Sequence, residues 1–239
     1  MTAENSQQVA IDGASLTVAA LRAIANREVA TQLGDGAEAA IERAHARLVS
    51  ARDGGAVYGA NTGVGANRAV SVGRPSEPGS SGEHAKRLLR SHCAAVGEPE
   101  PDVVARATMV VRLNQIVAGH SGVSLGLANA LHAAIASDSV PSMHGRGPIG
   151  TADLSPLAEL ALTLAGELPW QSGGIPAAAL ADTDALPFMS SSAMTLALAA
   201  LGSSEVGAVL DGAAVVASLS FLALQGSPQA YAEAVHAAR

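Results

Sequence analysis

The sequence predicts an all-α fold in which long helices form a bundle. Apolar residues recur at helical spacing along most of the 239-residue chain. The sequence shows neither the regular alternation of strands and helices that marks a parallel sheet nor the spacing of β-hairpins. Hydrophobic residues make up 49% of the chain and aromatic residues only 2%. The core must therefore consist mainly of Ala, Val and Leu, and we expect residues 1–239 to form one helical domain.

The first part of the chain predicts a short extended segment followed by two helices. Residues 11–13 have the pattern of an extended segment and a turn, and Ser15 or Thr17 can cap the helix that follows. A second amphipathic helix is predicted over residues 35–51.

The middle of the chain begins with the most loop-like stretch, SVGRPSEPGSSG at residues 71–82. It contains too much Pro, Gly and Ser to pack, and we expect a mobile loop over about 59–82. Helices then dominate and are predicted over 83–95, 102–118 and 121–137.

The last third predicts a loop, a helix and a long apolar segment. The loop covers residues 138–152, and the helix at 153–166 has Pro156 in its first turn. A long apolar pattern covers residues 190–224, and its most apolar part, residues 206–224, approaches the length of a membrane span. Because Asp211 interrupts that part and Gly, Ser and Ala dilute it, we interpret it as a core helix. This chain alone would have difficulty covering the whole apolar helix over 190–224, which indicates a partner.

Charge and cysteine content exclude several classes of protein. The net charge is −7 and the sequence has no cluster of Lys or Arg, which argues against a nucleic-acid partner. The single cysteine, Cys93, excludes a disulfide framework, and no Cys/His spacing indicates a metal site. The polar first residues lack the pattern of a signal peptide. We expect a cytoplasmic protein without metal, membrane or nucleic acid.

The segment VYGANTGVG at residues 57–65 is a candidate catalytic loop. It places Tyr58 beside three glycines and the side chains of Asn61 and Thr62. A tyrosine on such a loop can transfer protons as an acid or base. The alternative is a turn whose tyrosine covers the edge of the core. The GxG pattern here lacks the strand and helix of a dinucleotide site.

The histidines are weaker candidates. His92 and Cys93 are adjacent in a helix and so point to different faces, which disfavours a Cys–His nucleophilic pair. We interpret Cys93 as a small core residue and keep His92 as a candidate pocket group. His120, at a helix break, is interpreted as a capping or interface residue. His144 lies in a glycine-rich loop that either approaches a ligand or is simply exposed.

The short segment at the start of the predicted helix 153–166 is a candidate anion-binding site. Gly150, Thr151, Ala152 and Asp153 can present backbone N–H groups to an anion, because they precede a helix N-terminus. Equally, Thr151 or Asp153 can be a helix cap.

Five groups of segments, taken in order, carry a resemblance to a known family. They are VYGANTGVG (57–65), LLRSHCAAVGEP (88–99), VRLN with GHSGV (111–114 and 119–123), RGPIG with DLSPLAE (146–150 and 153–159), and GSPQAY with VH (226–231 and 235–236). These resemble segments of the aromatic amino acid lyases, which include histidine, phenylalanine and tyrosine ammonia-lyases and aminomutases. The resemblance implies the helical fold of that family's N-terminal half. It also implies a catalytic base at Tyr58 and substrate-binding positions at His92, Asn61 and Met189.

The resemblance breaks down at the family's electrophile. Aromatic amino acid lyases form methylideneimidazolone (MIO) from an internal Ala-Ser-Gly, in which the glycine nitrogen attacks the alanine carbonyl and the serine loses water. The triplet before Asp153 is Gly150-Thr151-Ala152, so both the serine and the glycine are missing. Met189 stands where the family has an asparagine that supports the electrophile. We therefore expect no MIO and no other cofactor.

The resemblance covers the first half of the family's sequence. In these enzymes the second half supplies a carboxylate-binding arginine, another tyrosine and a glutamate. We expect a small-molecule substrate, a second polypeptide resembling that half, and a homo- or hetero-tetramer. A natural truncation is the alternative to a split enzyme.

Three functions follow from these observations. The first is an MIO-independent lyase, isomerase or cyclase that removes a proton from an amino-acid-derived substrate through Tyr58. The second is a non-catalytic scaffold or regulatory paralogue. The third is an ammonia-lyase with an electrophile derived from Thr151.

Overall fold

The computed structural model describes residues 8–72, 82–148 and 150–238. It is 56% helix and 8% strand, which confirms the all-α prediction. The α-helices are α1 (Val18–Ala25), α2 (Ala37–Gly54), α3 (Glu83–His92), α4 (Asp102–Val117), α5 (Leu125–Ala136), α6 (Leu154–Leu164), α7 (Ala185–Met189), α8 (Ala193–Ala223) and α9 (Glu233–Ala237).

Short strands accompany these helices in the described residues. Strands β1 (Gln8–Ile11) and β2 (Ala30–Leu33) are parallel, while β3 (Val140–Pro141) and β4 (Trp170–Ser172) are antiparallel. Together β1, α1 and β2 form a small βαβ unit, which was not expected from the sequence pattern. Strands of four residues are too short to show periodicity, and in β1 only Ile11 is fully buried.

Capping hydrogen bonds set where the helices begin, in one case as predicted and in another case later in the chain. The predicted cap at Thr17 is confirmed, since its Oγ1 accepts a hydrogen bond from the Ala20 amide at 3.1 Å. Helix α5 starts at Leu125, four residues later than predicted. Its cap is Ser124, whose amide and hydroxyl are both held by the Asp184 carboxylate at 2.7 Å.

The described chain divides into two compact units, Met1–Leu201 and Gly202–Arg239. In the first unit α4 packs against α1, α2 and α5, while α6 packs against α3, α5 and α7. The core that they form contains mainly Ala, Val and Leu, as the composition predicts, with Phe188 and Met109 among its largest fully buried side chains.

The second unit contains the later part of α8, the 3-10 helix Pro228–Tyr231 and α9. Phe221 and Tyr231 meet edge to face, with ring centroids 5.5 Å apart. Most large apolar side chains of this part of α8 are exposed, including Val209 and Leu222 at 70% each, while Phe221 is partly buried.

This exposure corrects the interpretation of residues 206–224 as a core helix of this chain, and it agrees with the expectation that the chain alone does not cover the apolar helix over 190–224. In α8 the buried residues are Ala193, Met194 and Ala197, all near its start. By length and composition alone, Ala185–Ala223 is apolar enough to cross a membrane. Its most apolar 18-residue window has a mean hydropathy of 1.9, and none of that window is buried.

Candidate functional site

A cavity of about 670 Å³ opens in the first unit. Its walls come from α2, the turn at residues 58–60, α4, the α4–α5 loop, α7 and the residues just before α8. Apolar side chains such as Leu48 and Leu186 form part of the lining. The polar lining residues are Tyr58, Arg112, Gln115, His120, Ser121, Ser190, Ser191 and Ser192. Among these described lining residues there is no Asp or Glu, so the permanent charge of the wall is that of Arg112.

The turn that carries Tyr58 fits tightly against α7. Gly59 has a φ of +72°, and a Cβ added there would lie 2.6 Å from the Leu186 side chain. Only glycine allows this close approach. The Tyr58 side chain is half exposed, and its hydroxyl oxygen accepts a hydrogen bond from the Gly65 amide at 2.9 Å. The turn thus fixes the phenol at the cavity wall.

Asn61 holds the same turn onto the end of α2. Its Oδ1 accepts from the Val57 amide at 2.7 Å, and its Nδ2 donates to the carbonyls of Arg52 and Gly55 at 3.0 and 2.7 Å. These bonds occupy the side chain, and Asn61 does not line the cavity. Its substrate-binding role stays a prediction.

The loop after Tyr58 is held by backbone hydrogen bonds as far as Val72. The Gly63 amide donates to the Val70 carbonyl at 2.9 Å, and the Val72 amide donates to the Asn61 carbonyl at 2.8 Å. Residues 73–81 of the predicted mobile loop lie outside the described residues, and its mobility stays a prediction.

Arg112 is the charged residue of the cavity wall, and its side chain is 2% exposed. Its Nε donates to the Phe188 carbonyl at 2.8 Å, and its Nη2 donates to the Pro187 carbonyl. The guanidinium carbon lies 5.7 Å from the centroid of the Phe188 ring. Burial lowers the pKa of Arg112 to about 10, so the group is still cationic at neutral pH.

Gln115 lies one helical turn after Arg112. Its Oε1 accepts from Arg112 Nη1 at 3.0 Å and from the Ser191 hydroxyl. Because a guanidinium can only donate, the atom that faces it must be the oxygen of the amide. The amide nitrogen of Gln115 therefore faces elsewhere, and it has no hydrogen-bond partner among the described residues.

The degenerate electrophile segment adjoins the cavity without lining it. The Asp153 amide donates to the carbonyl of Ser191 at 2.8 Å, while Gly150 and Thr151 are exposed and Ala152 is half buried. The Asp153 carboxylate makes no capping bond to α6, contrary to one alternative above. It accepts from the amide and hydroxyl of Thr195 at 2.8 and 2.7 Å and so caps α8 instead.

His92 and Met189 are not brought to the cavity wall. His92 Nδ1 lies 2.8 Å from the Leu88 carbonyl and 3.0 Å from the Ser91 hydroxyl, at the end of α3. Met189 is 0% exposed in the core. The substrate-binding roles of both residues stay predictions.

A second polar cluster lies around Glu159, which is buried in α6. Its carboxylate accepts from the His144 amide at 2.8 Å and contacts His144 Nδ1 at 2.9 Å. Burial and the nearby Glu159 charge raise the pKa of Cys93, which suits the core role predicted for it. No group of three His, Cys, Asp or Glu side chains within the described ranges is arranged to hold a metal ion.

Sequence reasoning missed part of the cavity wall. The sequence pattern gives Arg112 and Gln115 no role beyond their helix, predicts His120 as a capping or interface residue, and does not single out Ser190 to Ser192. One available signal was the charge of Arg112 within the apolar stretch MVVRL. A buried charge in such a helix requires a specific partner or a site.

Comparisons with known proteins add to this geometry. The family model described as aromatic amino acid lyase matches residues 16–239. A probable histidine ammonia-lyase of Thermoplasma volcanium is 28% identical over 97% of this chain and 49% of its own length. The chain spans about half the length of the curated relatives that it matches.

Solved structures show the same partial coverage. The ergothioneine-degrading enzyme ergothionase of Treponema denticola matches with a TM-score of 0.85 and 26% identity, over 98% of this chain and 49% of that chain. Histidine ammonia-lyase from Trypanosoma cruzi matches with a TM-score of 0.81 and 27% identity, over 98% and 48% of the two chains.

Proposed function

The chain belongs to the aromatic amino acid lyase family, and we propose that it is an enzyme subunit that removes a proton from an amino-acid-derived substrate through Tyr58 without MIO. The observation that carries this proposal is the position of Tyr58. Its phenol lies in the wall of a cavity with Arg112, Gln115 and four serines. A cavity of about 670 Å³ is large enough for an amino acid and its derivatives.

The contacts of Tyr58 favour proton transfer. The Gly65 amide holds the phenol oxygen at 2.9 Å, so the ring is positioned before a substrate arrives. The phenol is half exposed, so its own proton can leave to water. The resulting phenolate, which keeps the hydrogen bond from the Gly65 amide, can then take a proton from a substrate carbon next to a carbonyl or an aromatic ring.

The residues near the cavity do not fit MIO formation. Thr151 would leave an additional methyl group on the reactive carbon, and Ala152 carries a Cβ on the residue whose nitrogen must attack. Met189 is fully buried and has no amide to support the ring. Without an electrophile the amine is a poor leaving group, which favours isomerisation, cyclisation or elimination of another group over loss of ammonia.

The names of the relatives guide the choice of substrate. Because the matches include histidine ammonia-lyases and ergothionase, histidine and ergothioneine are the first compounds to test. Tyrosine and phenylalanine follow, since the family model that matches is that of the aromatic amino acid lyases.

We also propose that a second polypeptide completes the site. The chain spans about half of its relatives, and the exposed apolar side chains of α8 offer a surface for association. The proposed assembly is a homo- or hetero-tetramer. Mixing with a polypeptide equivalent to the other half of the relatives, followed by size-exclusion chromatography, tests this part of the proposal.

The decisive experiment measures exchange of substrate C–H protons with D₂O by NMR, with the second polypeptide present. Tyr58→Phe should slow exchange by about 10²-fold or more, the usual contribution of an acid/base group. Tyr231→Phe is the matched control, because Tyr231 lies in the second unit and is also exposed. Equal exchange rates in the wild type and Tyr58→Phe would contradict the proposal.

A non-catalytic scaffold is the second candidate. It is favoured by Asn61, whose side chain is occupied by the turn, and by Met189, which is buried. Absence of exchange for every substrate, together with stable assembly, would support it. An intact mass lower than the sequence mass by two waters would instead support an electrophile derived from Thr151.

A further inference from the structure

The turn that carries Tyr58 contains a buried backbone residue, Gly59. Because Gly59 is buried, its amide and its carbonyl both need hydrogen-bond partners within the protein. The amide donates to Thr62 Oγ1 at 3.4 Å, within the turn itself. The carbonyl accepts from Nε2 of His84 at 3.2 Å, 25 residues later in the chain. The second partner of Gly59 is therefore a side chain from another element, α3.

The contact between His84 and Gly59 fixes a proton on the imidazole. A carbonyl oxygen can only accept, so Nε2 of His84 must carry the hydrogen. Nε2 carries it both in one neutral tautomer and in the cation, so the bond is compatible with either form. His84 is not one of the described residues that line the cavity. It therefore acts on the site through Gly59 and not through contact with a ligand.

The position of His84 is itself fixed at the start of α3. The amide of Gly82, just before α3, donates to Oδ1 of Asp182 at 2.7 Å. Gly82 has a φ of +84°, and a Cβ added there would lie 2.5 Å from the Leu180 carbonyl oxygen, so this close approach requires glycine. Residues 180–182 thus hold the start of α3, two residues before His84.

The same stretch of chain also holds the turn of Tyr58. The Leu186 side chain of α7 lies against Gly59, as the 2.6 Å distance to an added Cβ shows. Leu186 follows Asp182 by four residues. His84 therefore joins two points, Gly59 and the start of α3, that are each held against residues 180–186.

Gly59 is also the point at which the turn is able to rotate. Its φ of +72° lies in a region that glycine enters and leaves at little cost. The bond from His84 fixes the orientation of the peptide group that follows Gly59. Without this bond that peptide group can turn. The phenol of Tyr58 then shifts relative to the Gly65 amide, which holds its oxygen at 2.9 Å.

We propose that His84 is a positioning residue for Tyr58. Its Nε2–H fixes the carbonyl of Gly59 and so keeps the phenol oxygen on the Gly65 amide at the cavity wall. The consequence for turnover rests on the proposed function, in which Tyr58 is the base. A displacement of about 1 Å at a reacting group can lower a rate by about 10²-fold, so a residue outside the cavity can control the reaction.

The test observes Tyr58 directly. The chain has two tyrosines, so labelling with ¹³C at Cζ gives two NMR signals, and Tyr231→Phe identifies that of Tyr58. His84→Leu removes the donor and should move the Tyr58 signal toward its position in the urea-unfolded chain. Hydrogen exchange of the Gly65 amide should become about 2- to 12-fold faster, the factor that corresponds to one net hydrogen bond. His84→Gln keeps an N–H near the position of Nε2 and should give the wild-type values.

His45→Leu is the matched control. Nδ1 of His45 lies 3.0 Å from the Gly122 carbonyl, so this variant also removes a bond between an imidazole and a backbone carbonyl. It should lower stability in urea about as much as His84→Leu does, and leave the signals of Tyr58 and Gly65 in place. With the second polypeptide present, His84→Leu should lower kcat for C–H exchange about tenfold or more with little change in KM.

The spectroscopic measurements need no substrate, so they separate this inference from the proposed function. Absence of C–H exchange in the wild type would contradict only the proposed function. An unmoved Tyr58 signal with unchanged Gly65 exchange in His84→Leu would overturn the inference, and so would an equal displacement in His84→Gln. Should His84→Leu not fold, ¹⁵N spectra of the wild-type imidazoles decide. A neutral His84 with its proton on Nδ1 would overturn the inference, while a proton on Nε2 would support it.

Discussion

Helices α6 and α8 are both rich in Leu and Ala, yet their surroundings are opposite. In α6, LSPLAELALTL, every residue from Ser155 to Leu164 is buried. In α8, which has 31 residues, three residues near the start are buried, and side chains such as Leu219 are more than half exposed. The same kind of sequence thus gives a core helix in one place and an exposed apolar surface in the other.

The polar residues of the two helices explain part of this difference. In α6 each buried polar side chain has a partner: Ser155 donates to the His92 carbonyl, Thr163 donates to the Glu159 carbonyl, and Glu159 accepts from His144. Helices α3, α5 and α7 surround them. In α8, Ser218 and Ser220 donate to carbonyls of their own helix, which needs no neighbouring element. Polar residues in α6 therefore specify particular neighbours, and those in α8 do not.

The largest effect is expected from truncation in α6. Leu157→Ala, at a side chain that is 0% exposed, should lower the free energy of unfolding by about 2–5 kcal/mol because it leaves a cavity. Urea denaturation followed by circular dichroism measures this. Leu157→Met, which nearly conserves volume, is the control and should cost less than about 1.5 kcal/mol. A loss below that value for Leu157→Ala would mean that α6 is not a core helix.

A smaller effect is expected where the two helices are joined. Asp153 precedes α6 and caps α8 through the amide and hydroxyl of Thr195. Asp153→Ala should cost about 0.5–2 kcal/mol, the range for removal of a helix cap. Asp153→Asn retains an oxygen acceptor and should cost less. Equal unfolding curves for Asp153→Ala and the wild type would contradict this cap.

A still smaller effect on stability is expected in the exposed part of α8. Leu219→Glu, at a side chain that is 62% exposed, should change the free energy of unfolding by no more than about 0.5 kcal/mol. Sedimentation velocity should show reduced association of the chain, since the apolar surface is interrupted. Leu219→Ile, which keeps the surface apolar, should associate like the wild type. A large loss of stability would show that this part of α8 is buried.

The smallest effect on stability is expected at the exposed polar turn that begins at Asp12. The Asp12 carboxylate accepts from the amides of Ala14 and Ser15 and from the Ser15 hydroxyl, which lowers its pKa from 3.8 to about 2. Since the folded pKa is depressed, the stabilisation is present above about pH 4 and is lost as the pH falls toward 2.

Asp12→Asn should therefore reduce the acid sensitivity of unfolding between about pH 4 and pH 2 and leave its sensitivity at higher pH unchanged. Urea titrations at several pH values across this range measure how the free energy of unfolding changes with pH. The variant Asp35→Asn serves as a control at another exposed carboxylate of the same part of the chain. If the free energy of unfolding of Asp12→Asn depends on pH as that of the wild type does, the hydrogen bonds of the turn do not stabilise the Asp12 carboxylate.

The sequence predicted the helices well and the cavity wall only in part. The apolar repeat and the Thr17 cap are local features, so α1 could be placed to within a few residues. Tyr58 could be singled out because its loop has an unusual composition. The position of Arg112 in the cavity wall could not be predicted from its motif, because it depends on contacts with Pro187 and Phe188, about 75 residues away.

The sequence by itself determined the all-α class, the small-residue core and the resemblance to the aromatic amino acid lyases, because periodicity, composition and motif order are properties of the chain. Tertiary structure decided which apolar helix is buried, which helix Asp153 caps and which polar side chains share the cavity with Tyr58. These depend on residues that are distant in sequence and meet only after folding. The apolar composition of α6 and α8 indicates that burial would stabilise either helix, while the packing of the folded chain decides that α6 is the buried one.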